Sequence, residues 1–139
     1  MFCYQCQETA KNTGCTVRGV CGKNKEVAGL QDLLIYTLKG IAEVVVKGKV
    51  DISEYDEMNY GVLNWLFMTI TNANFDDESI VRHIQKMLSF RDGLKKSVNV
   101  DNLSDAATFT VDSKESMLGK AASVGVLATE NEDIRSLRE

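Results

Sequence analysis

The chain has 139 residues, 44% of them apolar, and a net charge of −4, enough for one domain with a buried core. Its basic residues are scattered rather than striped, which argues against a nucleic-acid or anionic-membrane partner and leaves a small molecule or another protein. The longest strongly apolar run, VLNWLFMTI at 62–70, is far short of the roughly 20 residues that span a bilayer.

The third residue is a cysteine, where a secretory leader needs a basic start and then an apolar stretch. The expected address is the cytoplasm, where thiols stay reduced and dense cysteines hold a metal or do redox chemistry. Proline is absent, against about seven expected at average usage. That absence favours helices, whose interiors proline disrupts.

The first segment, MFCYQCQETAKNTGCTVRGVCGK, contains all four cysteines of the chain, Cys3, Cys6, Cys15 and Cys21, spaced C-x2-C-x8-C-x5-C. Four thiolates complete either a tetrahedral zinc site or a 4Fe-4S cube. Zinc modules pair two short knuckles across a longer spacer, so the x8 and x5 gaps suit a cluster held in one continuous loop better. Gly14, Gly19 and Gly22 beside the later ligands let the backbone turn toward sulfur, and Lys11, Arg18, Lys23 and Lys25 offset the charge of a thiolate-ligated cluster. Tyr4, Gln5 and Gln7 flank ligands and either shield the site or lie on the surface. Zinc remains an alternative, as does a thiol redox sensor pairing Cys3 with Cys6 or Cys15 with Cys21.

Leu30, Leu33, Leu34, Leu38, Ile41, Ala42 and Val45 recur at helical spacing and predict a helix over 29–47, ended by Gly48. The β-branched run Val44, Val45 and Val46 is outweighed by that longer period. Asp51, Ser53 and Asp56 offer caps for a second helix over 55–71, apolar nearly all round and so expected in the middle of the fold, with Trp65, Phe67 and Met68 in the core. TNANFDD at 71–77 reads as a turn. Ile80, Ile84, Met87, Leu88 and Leu94 predict a third helix over 77–97. Short connections between the three predict an antiparallel bundle.

Residues 99–112 lose the helical period and read as a connection over the bundle surface, with TFTV at 108–111 compatible with a short strand. A fourth helix is expected over 113–124, with Asp112 and Glu115 as capping box and Gly125 as stop. Thr129 and Glu132 form the same pattern before a last helix that reaches Glu139 without a cap. KNKEVAGLQD (23–32) and ENEDIRSLRE (130–139) match in kind, which reads as the start of a second copy of the bundle. The acidic runs at 76–78 and 130–133 stand where helices begin and read as caps rather than cation sites. The expected architecture is all-α: a cluster-binding segment at 1–28, a three-helix bundle at 29–98, and a connector with the beginning of a second bundle at 99–139.

MFCYQCQETAKNTGCTVRGVCGK, LQDLLIYTLKGIA, SDAATF, SVGVLATENED and RSLRE together resemble the amino-terminal part of the hybrid cluster proteins, also called prismane proteins or hydroxylamine reductases. The resemblance implies an all-helical first domain of two three-helix bundles, and a 4Fe-4S cluster, one per chain, on Cys3, Cys6, Cys15 and Cys21. It implies electron relay from a donor protein to a second iron-sulfur-oxygen cluster, where hydroxylamine is reduced to ammonia or nitric oxide to nitrous oxide. That second cluster needs a histidine, glutamates and further cysteines. This chain has no fifth cysteine, and its one histidine, His83, stands beside no second ligand on the third helix. The hybrid cluster is therefore not expected here, no residue of the chain is expected to be catalytic, and the chain reads as a truncated piece of an oxidoreductase. Its uncovered apolar face is expected to meet the remaining domains or to self-associate, the 130–139 segment reaching into a neighbouring copy.

Overall fold

The computed structural model describes residues 1–6, 14–70 and 73–138. They are all-α: α1 (Lys25–Gly48), α2 (Asp56–Met68), α3 (Asp77–Ser97), α4 (Asp105–Thr108), α5 (Lys114–Val124) and α6 (Glu132–Arg138), with 3-10 turns at Ile52–Glu54 and Val126–Ala128. Gln7, Lys11 and Glu139, and the last residue of the expected 55–71 helix, lie outside the described residues.

Helix α1 begins four residues earlier than its apolar period, because Asn24 caps it, its Oδ1 accepting from the Val27 N–H at 2.8 Å. Val27, Leu30, Leu33, Leu34, Ile41 and Val44 are buried along its length, and α2, α3, α4 and α5 all pack on it. The central helix is thus α1, not the second helix as composition suggested. Helix α2 buries Met58, Trp65 and Met68 but leaves Tyr60, Leu63, Leu66 and Phe67 exposed, as is Ile70 just beyond its end. Phe67, expected in the core, is 61% exposed. A helix that is apolar on every face is compatible with a neighbour on every face, but does not supply one.

Side-chain pairs fix the directions. Lys114, opening α5, bridges Glu26 at the start of α1 (3.1 Å) and Asp77 at the start of α3 (2.5 Å). At the other end Gly48 abuts Val98, where a Cβ would come within 3.0 Å of a valine methyl. So α1 and α3 run the same way. Tyr55, preceding α2, meets Phe90 edge-on at 6.2 Å, and Trp65 near its end reaches His83 early in α3, so α2 runs opposite to both. The expected up-down-up arrangement is present. Gly48 is still helical, and Lys49 beyond it takes the left-handed conformation (φ 50°) that closes α1.

The connection after α3 holds a helical turn, α4, instead of a strand. A Cβ on Gly40 would collide with the Ala106 carbonyl, so glycine is what lets α4 reach the α1 backbone. Glu43 pins the same segment: it accepts from the Ser104 N–H at 3.0 Å and pairs with Lys47 at 2.8 Å, and Lys47, then Ser104, hold its carboxyl down at about 2.

Beneath α4 lies Arg91, fully buried. Its Nη1 donates to the Ala106 carbonyl (3.1 Å), Nη2 to the Phe109 carbonyl (2.7 Å) and Nε to Asp92 Oδ1 (3.0 Å), and the guanidinium lies 5.1 Å from the Phe109 ring centroid. The Phe109 carbonyl, which a strand at 108–111 would need, is thereby committed to an arginine.

Three caps differ from expectation by a residue or two. Asp51 caps the 3-10 turn through Ser53 N, and α2 starts after Tyr55 with no side-chain cap. The box at α5 is Ser113 with Ser116. At α6, Asn131 Oδ1 accepts from the Ile134 N–H at 3.0 Å while Thr129 Oγ1 accepts from the Asn131 N–H. Ser113 and Asn131 reach these N–H groups, one position beyond the expected Asp112 and two beyond the expected Thr129.

Arg91→Ala strands two buried carbonyls. In urea denaturation it should lower the unfolding free energy by about 3 kcal/mol or more, and Arg91→Lys should recover only part of this, since an ammonium cannot fork to both acceptors.

Candidate functional site

The cysteine loop is closed by backbone pairing. The Phe2 N–H donates to the Cys15 carbonyl (2.8 Å) and the Cys15 N–H to the Cys3 carbonyl (2.7 Å), an isolated antiparallel bridge. Gly14 (φ 84°) turns the chain into Cys15, and Gly22 (φ 97°) turns it after Cys21. Between them the Gly22 N–H donates to the Gly19 carbonyl (2.9 Å) and the Gly19 N–H to the Lys23 carbonyl (2.7 Å), a tight turn feeding into α1.

All four cysteines are free thiols; Cys15 is buried at 4% exposure, and Cys3, Cys6 and Cys21 are half-buried. The loop brings Cys3 and Cys15 side by side through their main chains and keeps Cys6 and Cys21 in the same short segment. Among the described residues no three thiol, imidazole or carboxylate side chains are gathered around a common point.

What fastens the loop to the bundle was not legible in the sequence. Lys23 is 2% exposed. Its Nζ donates to Gln5 Oε1 at 2.7 Å, and Gln5 Nε2 donates to the Thr69 carbonyl at 2.8 Å. Gln5 lies between Cys3 and Cys6, Lys23 two residues after Cys21, and Thr69 at the end of α2, so one amide joins both ends of the loop to the bundle. Gln31 of α1 adds a parallel tie, its Nε2 donating to the Met68 (3.0 Å) and Asn74 (3.1 Å) carbonyls. Of the other cations near the cysteines, Arg18 and Lys25 are exposed.

A cavity of about 240 Å³ lies between this loop, α1 and the 124–127 turn, with Cys3, Gln5, Lys23, Asp32, Tyr36 and Arg138 among its lining. Burial pushes the Asp32 carboxyl up to about 6, against the pull of Lys23 and Lys39. Gly125 is packed onto it: a Cβ there would come within 2.5 Å of Asp32 Oδ2. The tail is tied to the edge of the cavity, Lys39 Nζ donating to the Arg138 carbonyl and Arg138 Nη1 to the Gly125 carbonyl, both at 3.1 Å.

His83 belongs to the bundle. Its Nδ1 accepts from Trp65 Nε1 at 3.0 Å, and burial, with Lys86 and Arg82, pushes its pKa down. It is a packed helix residue held neutral so that it can accept.

The sequence profile of the Prismane/CO dehydrogenase family matches residues 1–139, the whole chain. The chain belongs to this family. A hydroxylamine reductase of Acetivibrio thermocellus is 67% identical over 139 residues, and one of Desulfitobacterium hafniense strain DCB-2 is 52% identical over 145; each alignment takes in all of this chain and 26% of the relative. A hydroxylamine reductase of Nitratidesulfovibrio vulgaris is 52% identical over 151 residues, 27% of its length. The chain therefore spans about a quarter of the curated prismane-family relatives that it matches, and corresponds to their amino-terminal part.

The raised Asp32 carboxyl makes stability depend on pH. Between its ordinary value of 3.8 and about 6 the folded chain keeps a proton that the unfolded chain has lost. The stability this contributes is present in full on the acid side and is lost as pH rises through about 6, a decline of up to roughly 3 kcal/mol. Urea midpoints near pH 5 and pH 7 should diverge in the parent chain and less so in Asp32→Asn.

Proposed function

We propose that Cys3, Cys6, Cys15 and Cys21 hold one 4Fe-4S cluster per chain, and that the chain is the amino-terminal electron-relay domain of a hydroxylamine reductase of the hybrid cluster type. The observation that carries this is the placement of every thiol of the chain, all free, in one glycine-turned loop anchored to a helical mount. Such a cluster supplies one-electron transfer, its potential tuned by hydrogen bonds and by charge near the sulfurs. The chain's own residues provide four sulfur donors, a backbone bridge that sets the spacing of two of them, and a polar tether through Gln5 and buried Lys23 that holds the loop against α1 and α2.

Reduction of hydroxylamine to ammonia, or of nitric oxide to nitrous oxide, is assigned to the remainder of the parent enzyme, because His83 is engaged with Trp65 and every cysteine is already used. The electron donor is a separate protein, and the compartment is the cytoplasm, where free thiols persist. No helix among the described residues is long and apolar enough to cross a membrane.

Tyr60, Leu63 and Phe67 of α2, with Ile70 just beyond it, form an exposed stripe. It supports the reading that the first bundle has a face made to be covered, by later domains or, in the isolated chain, by a second copy.

Metal and sulfide analysis of anaerobically purified chain should give about four irons with matching sulfide and a brown protein, and Cys21→Ser should lose most of the iron. A colourless protein with one zinc, or thiols that alkylate freely in the native state, overturns the assignment. Sedimentation of the isolated chain should show concentration-dependent association that Leu63→Glu with Phe67→Glu abolishes; a parent chain that is monomeric at every concentration removes the α2 face from consideration.

A further inference from the structure

Lys23 presents an electrostatic anomaly. An ammonium withdrawn from water costs several kcal/mol unless it is compensated. Lys23 is 2% exposed, yet among the described residues no carboxylate lies within ion-pair distance of it. Its described partners are a neutral amide oxygen at 2.7 Å and the face of Phe75, 5.8 Å from the ring centroid. Asp32 feels it at longer range. These are partial compensations for a full charge. The side chain is also held where the two ends of the cysteine loop meet, since Gln5 Oε1 accepts a hydrogen bond from it and Gln5 Nε2 spans to Thr69.

We propose that Lys23 is a positioning residue for the redox centre: it ties the Cys3–Cys6 segment to the Cys21 segment through Gln5, and its buried ammonium is the fixed counter-charge against which the centre is reduced. The inference rests on the 4Fe-4S reading. A cube ligated by four thiolates is anionic and gains one further negative charge when it accepts an electron. A cation buried nearby in a poorly screened site stabilises the reduced form more than the oxidised one. It therefore raises the potential. Exposed Arg18 and Lys25 are screened by solvent and do little of this. Gln5 has the complementary role of holding the geometry without changing the charge.

The test is a redox titration of the anaerobically purified chain, followed by visible absorption and electron paramagnetic resonance, on the parent chain, Lys23→Met, Gln5→Met and Arg18→Met. Lys23→Met keeps the length of the side chain and removes the charge. It should make the reduced form at least roughly tenfold less favoured at a given applied potential, equivalent to about 59 mV for one electron. Arg18→Met should shift the potential far less. Gln5→Met should leave the potential close to the parent value while iron is lost faster to a chelator.

Four irons in the parent chain and an unshifted potential in Lys23→Met overturn the inference alone. A parent chain that holds no iron-sulfur cluster overturns both the inference and the reading beneath it. If Lys23→Met does not load iron, Lys23→Arg decides. Loading by Lys23→Arg with a potential near the parent's supports a requirement for charge, whereas failure to load reduces Lys23 to a packing residue and overturns the redox role.

Discussion

A loop that carries four thiols and little apolar surface has to be held from outside, and here much of the holding falls to one amide. Gln5 spends its oxygen on Lys23 and its nitrogen on the Thr69 carbonyl. The first bond joins the two ends of the cysteine segment; the second seats them on α2. The geometry of the loop is therefore only as definite as the position of α2 on α1, and a second glutamine, Gln31, sets that position by donating to Met68 and Asn74. The carbonyls at the end of a helix have no intrahelical partner, and two glutamine side chains use those of α2 as attachment points.

The bundle behind the loop is built to stay put. Helix α1 is lined by residues that vanish from solvent, Gly40 admits the α4 backbone to direct contact, and Arg91 locks the following strap by binding two of its carbonyls. Each device substitutes a specific fit for an adjustable one. An electron-relay site of the kind proposed would gain from this, because reorganisation on a change of charge is smaller when the surroundings are already fixed.

Much of this was legible in the sequence. The apolar period located α1 and α3, cap and stop signals located α5, the absence of proline pointed to helices, and the crowding of the cysteines marked the loop. What failed has physical reasons. The centrality of α1 over α2 depends on which faces find partners, and periodicity says only which faces are apolar. TFTV has strand-like composition, but Arg91, eighteen residues before Phe109, claims the backbone. An arginine near the end of a helix is ordinarily exposed, as is a lysine beside a glycine-rich turn, so neither Arg91 nor Lys23 gave any sign of being buried. Gln5 was noted as a neighbour of ligands; that its nitrogen reaches Thr69, 64 positions away, is a tertiary fact with no local signature. At the tail, the match of 23–32 with 130–139 rests on a shared device, since Asn24 and Asn131 each cap their helix three residues ahead.

The directions of the helices bear on the loop in one more way. Helices α1, α3 and α5 begin close together, gathered by Lys114, and the loop emerges from that end, where α2 finishes. Peptide dipoles in a helix sum to about half a positive charge at its start and half a negative one at its finish. Three helix starts meeting at Lys114 make that corner of the backbone electropositive, and Glu26, Asp76 and Asp77 are among the side chains it draws in. An anionic group bound in the loop would rest on the pole of the bundle that favours it, through a field that no single substitution can switch off.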